Sequence, residues 1–113
     1  TIAQYKLNLK VIIINNHWQG MVRQWQESFY DERYSASNMS FGEPDFNKLS
    51  EAFGIKGIVI SERDQLIPQL QKALENEGPV IVNVNVRRGE NCYPMVPPGK
   101  SNAEMVGIPY KNK

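Results

Sequence analysis

The sequence has little of what marks a secreted, membrane-bound or nucleic-acid-binding protein. It contains one cysteine, Cys92, so no disulfide can form within the chain, and such usage is typical of a reducing compartment. Its 13 Lys and Arg residues against 12 Asp and Glu leave a formal charge of +1, which is too small to attract nucleic acid or an anionic membrane. No stretch approaches the ~20 apolar residues of a membrane span. We therefore expect no nucleic-acid partner and no membrane partner.

Common nucleotide and metal motifs are also missing. Neither G-x-G-x-x-G nor G-x-x-x-x-G-K occurs, and His17 is the one histidine, with no cysteine pair or carboxylate cluster beside it at metal-ligand spacing. Cys92 has no activating neighbour in sequence, which predicts an unreactive thiol. What remains is the composition of an ordinary globular domain, with 113 residues, 41% of them hydrophobic and 22% charged.

Apolar runs and turn residues predict an α/β fold, a parallel sheet with flanking helices. The β-branched run over 9–14 is typical of a strand buried on both faces. Strands are predicted over 9–14, 58–60 and 80–86, and helices over 18–31, 44–53 and 62–77, the last two ending at Gly54 and Gly78. Because helices connect the strands, the connections are expected to be right-handed crossovers in one sheet.

The two ends of the chain differ from this regular middle. Residues 1–5 resemble the end of a helix without a start signal, and the strand that follows needs neighbours on both sides. These features predict a piece of a longer protein, which would expose apolar surface and self-associate. Residues 87–113 hold four of the seven prolines and show no periodicity, so we divide the chain into an α/β part, 1–86, and an irregular C-terminal arm, 87–113.

Asn15 and Asn16 follow the first predicted strand, and ligands of parallel sheets bind beyond the carboxyl ends of the strands. An asparagine amide oxygen and the backbone carbonyls of a tight turn form an all-oxygen site that suits Mg²⁺. The alternative is that both asparagines only shape the strand-to-helix turn. Spacing alone favours this alternative.

An apolar stripe marks the helix that leaves this turn. It consists of Met21, Val22, Trp25 and Phe29, whereas Arg23, Gln24 and Glu27 lie away from it. Such stripes usually pack into a core, but beside a candidate ligand site the same residues could form the wall of a pocket. Both interpretations remain open from the residues alone.

Longer stretches of the chain resemble one enzyme family. Residues 11–30, V-I-I-I-N-N-H-W-Q-G-M-V-R-Q-W-Q-E-S-F-Y, and 91–100, N-C-Y-P-M-V-P-P-G-K, closely resemble the catalytic subunit of acetolactate synthase, also called acetohydroxyacid synthase. The resemblance continues through E-R-Y-S at 32–35, P-D-F at 44–46, A-F-G-I-K-G at 52–57 and G-P-V at 78–80. It covers essentially the whole chain, and the tail looks like the cyanobacterial or plastid-type branch.

The resemblance implies a transferase of branched-chain amino-acid biosynthesis. The family uses thiamine diphosphate and Mg²⁺ to decarboxylate pyruvate and to join the product to pyruvate or 2-ketobutyrate. Residues 1–86 would be the C-terminal part of the thiamine-diphosphate-binding domain, and the C-terminal arm would fold over the active site. FAD would bind elsewhere in the parent enzyme. The implied partners are the remaining domains, further copies in a homodimer or tetramer, and a regulatory small subunit, in the bacterial cytoplasm or a plastid.

The family's diphosphate-binding motif runs from Gly-Asp-Gly to an Asn-Asn pair, and Asn15-Asn16 matches its end. The resemblance implies that the Asn16 side chain and the Trp18 carbonyl bind Mg²⁺. It further implies that Gln19, Gly20 and Met21 face the cofactor and that Met21, Val22 and Trp25 line the substrate pocket. Gly-Asp-Gly is absent, and the activating glutamate belongs to a partner subunit's N-terminal domain. We therefore expect no catalytic residue in this fragment and no activity from it alone.

Two rival functions remain open. The first is another thiamine-diphosphate-dependent carboligase or oxidase with the same fold, against which the residues 19–25 and the tail argue. The second is a stand-alone, non-catalytic binding module that kept the fold and lost the reaction. A genuine start codon just before Thr1 and stable folding as a monomer would favour this module.

Overall fold

A computed structural model describes residues 1–107, which form a three-stranded parallel sheet with helices on both faces. Residues 108–113, the end of the C-terminal arm, lie outside the described part. The elements are β1 (Lys10–Asn15), α1 (Gly20–Phe29), α2 (Phe46–Ala52), β2 (Lys56–Ile60), α3 (Leu66–Glu75) and β3 (Val80–Asn85), with short 3₁₀ turns at Arg63–Gln65 and Asn102–Glu104. The predicted parallel α/β fold is confirmed.

β3 is the central strand of the sheet, whose order is β1-β3-β2. Lys10 of β1 and Lys56 of β2 both lie opposite Val80, so the two outer strands start in register. Alternate residues of β3 face α3 and are buried, because strand side chains point to opposite faces. The core consists of Ile58, Ile60, Ala73, Val80, Val82 and Val84, with Leu66 and Leu70 packed against it. Burial of each large aliphatic side chain contributes roughly 1.5–3 kcal/mol.

Helix α2 packs on the sheet from the side opposite α3. It begins after Asp45, whose Oδ1 accepts hydrogen bonds from the backbone N–H groups of Asn47 (3.0 Å) and Lys48 (3.1 Å). It ends before Gly54, whose φ of +64° favours glycine. The sequence predicted this helix over 44–53; its start lies two residues later than predicted, whereas Gly54 follows its end as expected.

β1 is less buried than its sequence predicts. The side chains of Ile12 and Ile14 are 46% and 67% exposed. The reason is that α2 and α3 pack on β2 and β3, so β1 lies at an edge that they do not cover. Within residues 1–107, β1 is therefore not buried on both faces as its residues alone predict, and the apolar surface that a piece of a longer protein is expected to expose is present.

Several further limits differ from the sequence prediction, and β2 begins at Lys56 instead of residue 58. Residues 1–5 form a hydrogen-bonded turn and not a helix, with Tyr5 N donating to Thr1 O at 2.9 Å. Helix α1 is two residues shorter than predicted at each end, running from Gly20 to Phe29; before it, His17 has a non-helical φ of +60° and Gln19 N donates to Ser37 O at 2.9 Å. The helix predicted over 62–77 starts as a 3₁₀ turn and ends at Glu75. No helix in residues 1–107 is long and apolar enough to cross a bilayer.

Candidate functional site

The turn between β1 and α1 is built by its two asparagines. Asn15 Oδ1 accepts a hydrogen bond from His17 N at 2.8 Å, and Asn16 Oδ1 accepts one from Trp18 N at 3.0 Å. His17, which directly follows the two asparagines, has a φ of +60°. The asparagines therefore do shape the turn, as spacing alone favoured. An amide oxygen has two lone pairs, so a second partner at Asn16 remains compatible with this role.

Asn16, Trp18 and Gly20 line one groove beyond the carboxyl ends of β1 and β3. Its other lining residues are Ile14, Val86, Arg87 and Glu90. Within residues 1–107, no donor hydrogen-bonds to the Trp18 carbonyl oxygen. An amide oxygen and a carbonyl oxygen on neighbouring residues are the donor types that Mg²⁺ prefers. The residues present therefore fit a magnesium ion, with water and further ligands completing its shell.

The start of α1 adds hydrogen-bond donors to the same place. Gln19 makes no side-chain cap, and the N–H groups of Gly20, Met21 and Val22 have no acceptor in the described part of the chain. A β-carbon on Gly20 would lie 3.4 Å from Asn16 Nδ2, so the first turn of α1 and Asn16 are immediate neighbours. Free N–H groups at the positive end of a helix dipole fit phosphate oxygens.

The apolar stripe of α1 does not enter the core. Met21, Val22 and Trp25 are 49%, 45% and 37% exposed, and they wall an open groove of about 680 Å³. Gln26, Tyr30, Arg33 and Ser35 line the rest of it. The stripe therefore does not pack into the core of the described residues, and its three members line a groove, as the pocket-wall alternative requires. Phe29 only touches this wall, with its ring edge-on to Trp25 at a centroid distance of 5.3 Å.

The buried face of α1 is polar, which the sequence interpretation missed. Gln24 is 1% exposed; its Nε2 donates to Cys92 O at 2.9 Å, and its Oε1 accepts from Cys92 N at 2.8 Å. Arg23 Nη1 donates to Asn91 Oδ1 at 3.0 Å and forms an ion pair with Glu27, also at 3.0 Å. Periodicity places an apolar stripe inward by default, so it offered no signal for this arrangement.

Aromatic and charged contacts hold the surrounding loop. The Arg23 guanidinium lies 5.8 Å from the Trp18 ring centroid and 5.7 Å from that of Tyr34. His17 Nδ1 contacts the carboxylate of Glu43, which Asn15 Nδ2 also approaches at 3.4 Å. The sequence did not predict the role of Glu43. No three His, Cys, Asp or Glu side chains gather as a metal site among the described residues, so the donors here are amide and carbonyl oxygens.

Comparison with known proteins identifies the family. Residues 1–84 match the family described as "Thiamine pyrophosphate enzyme, C-terminal TPP binding domain". The chain is 63% identical, over 96% of its length, to an acetolactate synthase large subunit of Parasynechococcus marenigrum, and 61% identical, over 96%, to that of Pyropia yezoensis. It is 42% identical, over 94%, to the large subunit of acetolactate synthase isozyme 2 of Escherichia coli. The chain spans 18% of the length of the first two relatives and 19% of the third.

The fold has a counterpart among solved structures. A thiamine diphosphate-dependent 4-hydroxybenzoylformate decarboxylase of Rhodococcus jostii superposes with a TM-score of 0.67 at 23% identity, covering 76% of this chain and 16% of that one. At this identity the likeness shows the fold alone. Because the family description matches most of its length, the chain belongs to the thiamine pyrophosphate enzymes, in their C-terminal TPP-binding domain.

Proposed function

We propose that the chain is the part of an acetolactate synthase large subunit that holds the diphosphate of thiamine diphosphate through Mg²⁺. The observation that carries the proposal is the meeting of Asn16, the Trp18 carbonyl and the uncapped start of α1 beyond β1. The high identity to subunits of that name supports the choice of reaction. The parent enzyme would be a transferase that decarboxylates pyruvate and joins the product to a second 2-keto acid.

The chain's own residues would bind and orient the cofactor. Asn16 Oδ1 and Trp18 O would be two of the Mg²⁺ ligands, and the N–H groups of Gly20 and Met21, with Gln19 beside them, would bind phosphate oxygens. Thiamine diphosphate, when bound, supplies the carbanion chemistry. Holding the diphosphate both through Mg²⁺ and through these N–H groups would preorganise the site, so that the reacting groups need little rearrangement.

The apolar wall beside this turn would receive the acceptor. Met21, Val22 and Trp25 present an apolar and aromatic surface suited to the short aliphatic part of a 2-keto acid. The C-terminal arm, residues 87–113, covers the active site in this proposal, and residues 1–86 form the C-terminal part of the cofactor-binding domain. Closing such a cover excludes water from the reaction.

Several groups of the parent enzyme lie outside this chain in the proposal. Residues 1–15 contain no Asp, so in this proposal the carboxylate of the family's Gly-Asp-Gly would not be among the residues of this chain. The remaining domains, FAD, a second subunit of a homodimer or tetramer and a regulatory small subunit complete the assembly, in a bacterial cytoplasm or a plastid. We expect the isolated 113-residue chain to form no acetolactate from pyruvate.

Replacement of Asn16 in the full-length protein tests the proposal. Asn16→Ala removes an oxygen ligand, and we expect Mg²⁺-dependent binding of thiamine diphosphate, measured by calorimetry, to weaken about tenfold or more. Asn16→Asp keeps an oxygen at this position and retains most of the affinity. Asn15→Ala is the matched control because it removes the equivalent turn hydrogen bond at 2.8 Å. Equal losses in Asn15→Ala and Asn16→Ala would show that only turn shape matters and would overturn the ligand role.

A further inference from the structure

Helix α1 differs from the other two helices in what holds it. Helices α2 and α3 pack on β2 and β3. The one buried side chain of α1 is Gln24, and the partner of that side chain is the C-terminal arm. The apolar side of α1 faces the open groove instead of the sheet. The position of α1 therefore depends on polar contacts with irregular segments.

Two sets of hydrogen bonds join α1 to the C-terminal arm. The Gln24 amide pairs with both backbone groups of Cys92, and its Nε2 also lies 3.3 Å from Met95 Sδ. Beside Gln24, Arg23, Asn91 and Glu27 form a closed triangle, with Asn91 Nδ2 donating to Glu27 Oε2 at 3.1 Å. The Arg23 side chain is only 13% exposed, so these charged contacts are partly shielded from water.

The stability of α1 depends on these contacts more than that of a longer helix would. A helix of 10 residues is too short to be stable by itself in water, and its order comes from what packs against it. The loop supplies a second support, since Gln26 Nε2 donates to Ser35 O at 2.9 Å and Gln26 Oε1 accepts from Ser37 Oγ at 2.6 Å. A buried Gln24 without its partner would leave an amide unsatisfied, which is costly.

We propose that Gln24 and Arg23 are positioning residues through which the C-terminal arm braces α1 and so fixes the wall formed by Met21, Val22 and Trp25. The arm is then a structural support of the site as well as its cover. The value of this brace for catalysis rests on the proposed function, but the coupling between arm and helix does not.

Hydrogen–deuterium exchange in the full-length protein tests the brace. Gln24→Met removes both bonds to Cys92, and we expect amide exchange over residues 20–29 to rise about tenfold or more, while residues 80–85 of β3 keep their protection. Gln69→Met is the matched control, since Gln69 is a half-buried glutamine on α3. This control leaves exchange in α1 unchanged.

A second variant acts from the arm alone. Asn91→Ala removes the arm's member of the triangle without altering α1, and we expect exchange over residues 20–29 to rise several-fold. If Gln24→Met raises exchange in β3 as well, Asn91→Ala is the variant that tests the brace. Unchanged exchange in α1 in Asn91→Ala, or in a folded Gln24→Met, overturns the proposal. Exchange needs no activity, so the result is independent of whether the protein makes acetolactate.

Discussion

Gly57 of β2 lies directly against Ser50 of α2. A β-carbon built on Gly57 would fall well inside van der Waals contact of Ser50 Oγ and of the Asn47 side chain. Ser50 is fully buried and donates its hydroxyl hydrogen to Asn47 O at 2.7 Å, so it has no space to move aside. The close approach of α2 to the sheet thus depends on the missing side chain of one glycine.

Gly57→Ala is therefore expected to lower the free energy of unfolding by about 1–3 kcal/mol, the usual cost of overpacking. Chemical denaturation measures the change. Gly42→Ala is the control, because a β-carbon there meets nothing within 4 Å, and its effect should stay within about 0.5 kcal/mol. Equal stabilities of the two variants would mean that α2 can shift away from β2 freely.

Lys10 ties the start of the sheet to the end of α3. Its Nζ donates to Asn76 O and to Gly78 O, both at 2.7 Å. Lys10→Met keeps the aliphatic stem but leaves two carbonyls without this donor, and we expect the free energy of unfolding to fall by about 1–3 kcal/mol. The exposed Lys6, replaced in the same way, gives the baseline for loss of a lysine charge. A Lys10→Met protein as stable as Lys6→Met would contradict the role of these bonds.

Trp25→Ala tests whether Trp25 acts on the choice of acceptor and not on the stability of the fold. Trp25 is 37% exposed, so its loss is expected to change the free energy of unfolding by less than about 1.5 kcal/mol. Its loss from the acceptor wall should change the ratio of products from mixed pyruvate and 2-ketobutyrate about tenfold. Phe29→Ala is the control, since Phe29 lies on the same helix but does not line the groove. An unchanged product ratio in Trp25→Ala places the acceptor elsewhere.

The pH dependence of the turn at Asn102–Glu104 follows from its carboxylate. The backbone N–H of Ser101, then the Lys100 ammonium and the Ser101 hydroxyl, hold the pKa of Glu104 below its ordinary value of 4.5. A lowered folded-state pKa means that the stabilisation is fully present above 4.5 and is lost as the pH falls through the lowered pKa.

An NMR titration of the Ser101 amide and the Glu104 carboxyl measures this loss. We expect both signals to move together at a pH below 4.5, and Glu104→Gln to remove the transition at Ser101. A Ser101 amide that titrates unchanged in the variant would show that another group is responsible.

The sequence predicted those parts of the fold that depend on local chemistry. The β-branched strands and the glycine after α2 lie within a residue or two of their expected places, whereas Asp45, expected inside the helix, caps it. The sequence predicted exposed apolar surface but not that Ile12 and Ile14 would form it, because a strand's pattern does not say which of its residues a helix will cover. Position in the sheet, which is non-local, decides this.

The site divides in the same way. Asn15 and Asn16 were placed correctly at the end of a strand, since turn chemistry is local. The pairing of Gln24 with Cys92 was not predicted, because its partner is backbone and carries no side-chain signal. The contact of His17 with Glu43 joins two loop residues that no periodicity relates.

The sheet order has a consequence for how the chain is made. Both outer strands bond to β3 and not to each other, and β3 is the last of these three strands to be synthesised. As the chain leaves the ribosome, the edges of β1 and β2 that pair with β3 therefore remain open until Asn85 has emerged. Throughout that interval the Ile-rich β1 is an open template for neighbouring nascent chains, and a chaperone that covers it would protect the yield of folded protein.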